Sequence, residues 1–279
     1  MRTRTYLRAG LLVVFAAAGG ASESSPQERS DGPAVPGGPA GVEAAAPQIV
    51  DQPPATAKPS EPSEVDLRPR LLELGLPPRA QGARGTCSIF TTCEAIEFAL
   101  ARSTGKSVRL SPEFANWAAG QAAGRPSDGN FFHNALAGFK RRGVCAESLM
   151  PYQEKFDAAR APSEAALADA AKTGKHARSG LAVRWIVPWK ANRFGLDDSQ
   201  FARVKRVLAS GYPVAAGSGH SRLLVGYKDD VAKPGGGTFM TEDSALNRFD
   251  EVTYEFVRKE VADVFWVEAV TTPADAAKH

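Results

Sequence analysis

The helix-like patterns of this sequence come first along the chain, and its strand-like patterns come later. Apolar residues recur at helical spacing after Cys87, which predicts a helix that begins there. Ser111 and Pro112 supply a capping hydroxyl and a proline at the first helical position, and Gly143 is a typical helix end. The predicted helices of this half are residues 87–102, 112–120 and 132–142.

The second half is predicted to be mainly strands. An alanine-rich segment at 161–172 has a helical pattern, and a further helix is predicted from a cap at Asp198 to Gly211. The strand-like runs are residues 182–187, 213–216, 222–227, 238–241 and 264–270. Helices followed by strands predict an α+β domain.

One stretch places a thiol where the first helix begins, after the glycines Gly82 and Gly85. The free N–H groups and the positive dipole end of a helix stabilise an anion, so Cys87 is favoured as a thiolate, the nucleophilic form. Gln81 precedes it. Its side-chain amide, together with the backbone N–H of Cys87, is a candidate pair of donors to the oxyanion of an acyl-transfer intermediate.

The stretch from Gln81 to Phe90 resembles the nucleophile motif of the papain family of cysteine peptidases. Later landmarks of that family follow in the same order, at residues 110–114, 128–129, 143–152 and 219–227. The resemblance covers roughly residues 65–270. It implies a papain-like fold, in which a mostly helical half packs against a strand-rich antiparallel half with the active-site cleft between them.

The resemblance assigns the base to His220, one of four histidines in the chain. It follows a Gly-Ser-Gly turn and leads a predicted strand, which can hold an imidazole rigidly. The family has an asparagine that orients this histidine, and Asp243 stands at the matching position. The resemblance therefore implies a Cys-His-Asp triad of Cys87, His220 and Asp243, with Gln81 at the oxyanion and with Gly129 and Asn130 binding the substrate backbone.

The sequence departs from the family pattern around this site. Ser88 and Ala245 replace two usual tryptophans, Arg84 replaces a cysteine of a common disulfide, and Asn130 replaces a glycine. The link between residues 216 and 220 is also short. Three functions are therefore considered: a peptidase acting on peptide or protein substrates, a catalytically weak domain that binds peptides or proteins, and another Cys-His-Asp acyl transfer of the transglutaminase or cell-wall amidase type.

The ends of the chain have a different composition from the middle. Residues 1–21 read as a signal peptide, because three arginines precede an apolar run that small residues follow. Residues 22–64 are predicted to be a disordered linker rich in proline, alanine and glycine, residues 65–270 the catalytic domain, and residues 271–279 a tail. These features predict an exported protein with no membrane attachment after cleavage of the leader.

Charge and cysteine content narrow the remaining possibilities. The formal charge of +3 equals the three arginines of the leader, so the rest of the chain is near neutral and is not expected to bind nucleic acid. No cysteine and histidine cluster predicts a metal site, and no cofactor is expected. With three cysteines, Cys93 and Cys145 are either a disulfide or two buried thiols. The oligomeric state is not predicted.

Overall fold

The computed structural model describes residues 61–270, except for the side chains of residues 177 and 178. The predicted leader, the C-terminal tail and most of the predicted linker lie outside the described residues. Within residues 61–270, none of the helices combines the length and the apolar character that crossing a bilayer requires.

The three predicted helices of the first half are confirmed. Ser111 caps its helix by accepting a hydrogen bond from the backbone N–H of Phe114 at 2.9 Å, and Pro112 takes the first helical position. The next helix ends at Gly143, which has a φ of +73°. In the described chain, the helices of this half are α1 (Arg68–Glu73), α2 (Cys87–Thr104), α3 (Pro112–Ala123) and α4 (Phe132–Arg142).

Helices α3 and α4 pack closely because small residues meet at their contact. A Cβ atom on Gly138 would lie 2.6 Å from the backbone carbon of Ala118. Helix α2 lies between these helices and the sheet, and nearly all of its residues are buried. The thiol at its first position therefore belongs to a helix that is buried along most of its length.

The second half is an antiparallel sheet, as predicted. Its strands are β1 (Glu64–Asp66), β2 (Leu181–Val187), β3 (Val214–Gly217), β4 (Arg222–Asp229), β5 (Gly237–Asp243), β6 (Arg248–Thr253) and β7 (Asp263–Ala269). Their order is β2-β7-β3-β4-β5-β6, and β1 pairs with β4. Every pairing is antiparallel, so the predicted α+β class is confirmed.

Three further helices accompany the sheet, namely α5 (Glu164–Gly180), α6 (Asp198–Ala209) and α7 (Tyr254–Glu260). The cap of α6 was predicted one residue too late. Asp197, not Asp198, accepts the backbone N–H of Gln200 at 2.8 Å, and Gln200 accepts the N–H of Asp197 in return. Strands β1 and β6 and helices α1 and α7 were not predicted from the sequence, because they are short or lack a clear apolar period.

The two faces of the sheet bury separate hydrophobic cores. One face packs on α2, α3 and α4 through side chains that include Phe98, Phe114, Phe132 and Phe265. The opposite face packs on α6 and α7 through a second group that includes Phe201, Tyr227, Phe239 and Tyr254. This arrangement holds the first turn of α2 against the link between β3 and β4 and the end of β5.

Candidate active site

Cys87 occupies the first turn of α2, where its thiol meets the residues that follow β3. Burial disfavours the thiolate, but hydrogen bonds with the side chain of His220 and with the backbone and side chain of Ser221 outweigh it. The pKa of Cys87 is therefore lowered from its ordinary value. The preceding loop is tight, because a Cβ atom on Gly85 would lie 3.1 Å from the carbonyl oxygen of Asp128.

His220 links the thiol to a carboxylate. Its Nε2 lies 2.9 Å from Oδ1 of Asp243, so Nδ1 is the ring nitrogen available for its hydrogen bond with Cys87. The contact with Cys87 raises the pKa of His220 most, burial lowers it, and the bond to Asp243 raises it further, with a net upward shift. The hydroxyl of Ser218 donates to the carbonyl of His220 at 2.7 Å and steadies the turn before the strand.

Asp243 ends β5 and is 1% exposed. The backbone N–H groups of Ala245 and Leu246 donate to its Oδ1 at 2.9 and 3.2 Å, and Arg222 donates to its Oδ2. Burial opposes its ionisation, but the bond to His220 and the attraction of nearby cations leave the pKa of Asp243 lowered. The structure thus brings Cys87, His220 and Asp243 into one hydrogen-bonded series.

Gln81 lies beside this series in a fixed orientation. Its Nε2 donates to the carbonyl of Arg84 at 2.7 Å, and its Oε1 accepts from the hydroxyl of Ser244 at 2.7 Å. Its backbone N–H also donates to the carbonyl of Ser244 at 2.9 Å. One amide hydrogen is therefore used to hold the loop, and Gln81 does not line the cavity described next.

A cavity of about 620 Å³ opens beside Cys87. Gly129 and Asn130, the predicted substrate-binding residues, both line it. Gly129 has a φ of +87°, and a Cβ atom there would lie 1.8 Å from the carbonyl oxygen of Gly85, so only glycine fits. Ser88, which stands in place of a tryptophan, also lines the cavity and donates a hydrogen bond to the carbonyl of Asn130.

Two further residues of this candidate site, Arg222 and Asp263, were not predicted from the sequence. Arg222 is the first residue of β4, two positions after His220, and strand alternation was the signal that could have placed it beside the histidine. Asp263 begins β7 and lines the cavity, and burial raises its pKa to about 6. It fits against Gly217, where a Cβ atom would lie 1.9 Å from Oδ1 of Asp263.

Arg84 occupies the place of the usual cysteine and forms ion pairs instead. Its guanidinium donates to Glu113 at 2.6 Å and to Asp128 at 2.8 Å, and it also donates to the carbonyl of Gln153 at 2.9 Å. It lies over the ring of Tyr152, 4.5 Å from the ring centroid. The loop before Cys87 is thereby connected to α3, to the Asp128 turn and to the segment that contains Gln153.

The other two cysteines are buried free thiols, one of the two possibilities left open above. Burial raises the pKa of Cys93, and it raises the pKa of Cys145 to about 11. Both differ in this respect from Cys87. Among the described residues, no group of three or more His, Cys, Asp or Glu side chains is arranged to hold a metal ion.

No protein-family model and no curated protein sequence matches this chain. Solved structures do. Procathepsin L 3 from the larval midgut of Tenebrio molitor is 17% identical, with 79% of this chain and 74% of that chain covered and a TM-score of 0.58. Xylellain, a cysteine protease from Xylella fastidiosa, is 18% identical, with 76% and 88% covered and a TM-score of 0.59. The ragweed cysteine protease Amb a 11, in its proform, is 18% identical, with 77% and 66% covered and a TM-score of 0.53.

Proposed function

We propose that this chain, whose fold is that of the papain-like cysteine proteases, is itself a cysteine peptidase that cleaves peptide bonds. The observation that carries the proposal is the hydrogen-bonded series Cys87, His220 and Asp243, in which Cys87 lines the 620 Å³ cavity. A thiol with a lowered pKa, a histidine with a raised pKa and a buried carboxylate are the groups that thiol acyl transfer requires.

In the proposed mechanism, the thiolate of Cys87 attacks the carbonyl carbon of the scissile peptide bond. The carbonyl π electrons move to oxygen and give a tetrahedral oxyanion. When this intermediate collapses, the C–N bond breaks and the imidazolium of His220 gives its proton to the leaving amine. Water then attacks the thioester, His220 takes one of its protons, and the C–S bond breaks to release the acid and the thiolate.

Asp243 and Gln81 have supporting roles in this mechanism. Asp243 holds the ring of His220 through Nε2, which keeps Nδ1 directed to the thiol. The backbone N–H of Cys87 is one donor to the oxyanion, and the second amide hydrogen of Gln81, beyond the one given to Arg84, is the other. The fixed orientation of Gln81 supports this assignment because a preorganised donor needs no reorganisation during the reaction.

The substrate is proposed to be a peptide or protein that lies along the cavity beside Gly129 and Asn130. The peptidase is further proposed to be exported, because residues 1–21 have the charge and apolar pattern of a signal peptide. The proposed cleavage reaction involves no cofactor, since a thiolate and an imidazolium suffice for the chemistry.

Labelling with a thiol-reactive epoxide at mildly acidic pH, followed by mass-spectrometric mapping, tests whether the site is activated. Cys87 is expected to react well ahead of Cys93 and Cys145, which are buried and whose pKa values are raised. Equal, slow labelling of all three thiols would remove the basis for an enzyme and favour the peptide-binding alternative.

Cleavage of denatured casein then tests the reaction class. The wild-type chain is expected to produce new peptide N-termini, and the Cys87→Ser variant is the matched control that should not. A chain whose Cys87 is labelled rapidly but that releases only ammonia from glutamine side chains, or acts only on cell-wall amide bonds, would belong to the other acyl-transfer class.

A further inference from the structure

Asp243 has no free oxygen, because four donors surround it. Its Oδ1 accepts hydrogen bonds from His220 and from two backbone N–H groups, and its Oδ2 accepts from Nε of Arg222 at 2.9 Å. Only 1% of its side chain is exposed. An ionised carboxylate satisfies all four donors, whereas an asparagine amide would present hydrogens to one side.

Arg222 is itself held on three sides. Besides its bond to Asp243, its Nη1 donates to the carbonyl of His220 at 3.4 Å. Its guanidinium lies 5.7 Å from the ring centroid of Phe256 on α7. The side chain is 23% exposed. The arginine therefore connects the histidine turn, the end of β5 and α7 while water still reaches part of it.

We propose that Arg222 is a positioning residue of the active site, which fixes the second oxygen of Asp243 and balances its charge. The papain-like resemblance has a neutral asparagine where Asp243 stands. Because Arg222 balances the charge of Asp243, the pair gives His220 an orienting group whose net charge is also near zero. The effect on turnover rests on the proposed peptidase function, but the effect on the ionisation of Cys87 and His220 does not.

The charges that face His220 come from three elements. Cys87 lies on α2, Asp243 on β5 and Arg222 on β4, and Glu94 of α2 interacts more weakly with Asp243. Removing the positive charge of Arg222 leaves Asp243 uncompensated, so the imidazolium of His220 becomes harder to deprotonate. The shift is expected to be about one pH unit, at the low end for a neighbouring charge, because Arg222 is partly exposed.

The first measurement is the pH dependence of Cys87 alkylation by iodoacetamide, which requires no substrate. The alkylation rate is expected to change at the pH where the imidazolium of His220 loses its proton, which is the upper inflection of the profile. In Arg222→Met, this inflection is expected to move to higher pH by about one unit. Arg248→Met is the matched control. Arg248 pairs with Asp243 in strand register, but its guanidinium lies 3.6 Å from Asp250, so its removal should leave the profile unchanged.

The second measurement is a double-mutant cycle on kcat for peptide cleavage. Arg222→Met is expected to lower kcat roughly tenfold by loosening Asp243, and Asp243→Asn to lower it similarly, because Arg222 then faces an amide N–H. The double variant, with neither charge, should be more active than the product of the two single losses. The proposal would be overturned if the two substitutions had independent effects on kcat and the upper inflection of the alkylation profile did not move in Arg222→Met.

Arg222→Lys keeps the experiment decisive if Arg222→Met does not fold. Lysine retains the positive charge but lacks the planar guanidinium that bonds Asp243. In Arg222→Lys, kcat per folded molecule should therefore fall, while the upper inflection of the alkylation profile stays at the wild-type pH. Unchanged kcat per folded molecule in this variant, with folding followed by circular dichroism, would contradict the positioning role. A chain whose Cys87 ionises as described but that cleaves no peptide would refute the peptidase function, and the alkylation profiles would still decide the role of Arg222.

Discussion

Asp263 is the acidic side chain that lines the cavity beside Cys87 and Ser221, and Arg125 lines the same cavity. In the proposed substrate cavity, the carboxylate of Asp263 favours a cationic group, because a charge-assisted hydrogen bond is worth about 1.5–3 kcal/mol. On the proposed peptidase function, we expect peptides that place Arg or Lys beside Asp263 to be cleaved roughly tenfold faster, in kcat/KM, than peptides with Leu. Fluorogenic peptide libraries measured at pH 7.5 check this preference.

The same residue gives the preference a pH dependence. The pKa of Asp263 is raised by burial to about 6, so the carboxyl is charged above that pH and neutral below it. The preference for Arg should therefore weaken as the pH falls from 7.5 to 5. Asp263→Asn should show no preference at either pH, and an Arg preference that survives in this variant would mean that another group binds the cation.

At the scale of elements, the contacts of Arg84 hold the loop before Cys87, where the resemblance to papain-like enzymes implies a disulfide cysteine. Glu113 on α3 is 3% exposed, and Arg84 is its closest cationic partner. Breaking a buried ion pair leaves an uncompensated charge, so Arg84→Met is expected to lower the free energy of unfolding by about 3–5 kcal/mol. Urea unfolding followed by tryptophan fluorescence measures the loss.

Arg160→Met is the matched control for this prediction. Arg160 also approaches Glu113, at 3.7 Å, but it is more exposed, and its removal leaves the bond between Arg84 and Glu113 intact. We expect a loss under about 1 kcal/mol. Because the connection is ionic, a thiol reductant should not change the stability of the wild-type chain, and a large effect of the reductant would contradict this account.

At the scale of the whole molecule, two acidic side chains stand out among the described residues because they are buried without hydrogen-bond partners there. Glu94 on α2 is 2% exposed and Glu242 on β5 is 1% exposed, and neither carboxyl group has a hydrogen-bond partner. The nearby cations Arg79 and Arg109 both form ion pairs with Glu97 instead. Burial, with repulsion from neighbouring acids, raises the pKa of Glu242 well above its usual range and that of Glu94 to about 7.

These carboxyl groups predict that the fold loses stability as the pH rises. A raised pKa means that the folded state binds more protons than the unfolded chain, so the free energy of unfolding falls from about pH 4.5 upward. Glu242→Gln should therefore stabilise the protein at pH 8 and have little effect at pH 4, measured by thermal unfolding.

Glu113→Gln provides the opposite control. Glu113 is equally buried but is paired with Arg84, so its replacement should destabilise the protein at pH 8. If Glu242→Gln also destabilised the protein at pH 8, Glu242 would have a partner that stabilises its charge. Activity should not depend on Glu242, because its carboxyl group is not part of the Cys87, His220 and Asp243 series.

Local sequence patterns were enough to predict several helix ends. Cys87 starts α2, Ser111 caps α3 and Gly143 ends α4 because capping and periodicity act over a few neighbouring residues. The order of helices and strands, with the resemblance around Cys87 and His220, also predicted the papain-like fold. Asp243 could be named as the partner of His220 because the resemblance supplied its position.

Contacts between side chains that are distant along the chain could not be predicted in this way. Arg222 bonds Asp243 because β4 and β5 pair in one particular register, and Asp263 lines the cavity because β7 lies beside β3. Arg84 meets Glu113 across 29 positions of sequence. The physical reason is that such contacts depend on chain topology and on packing around small residues such as Gly217, and neither leaves a signal at local spacing.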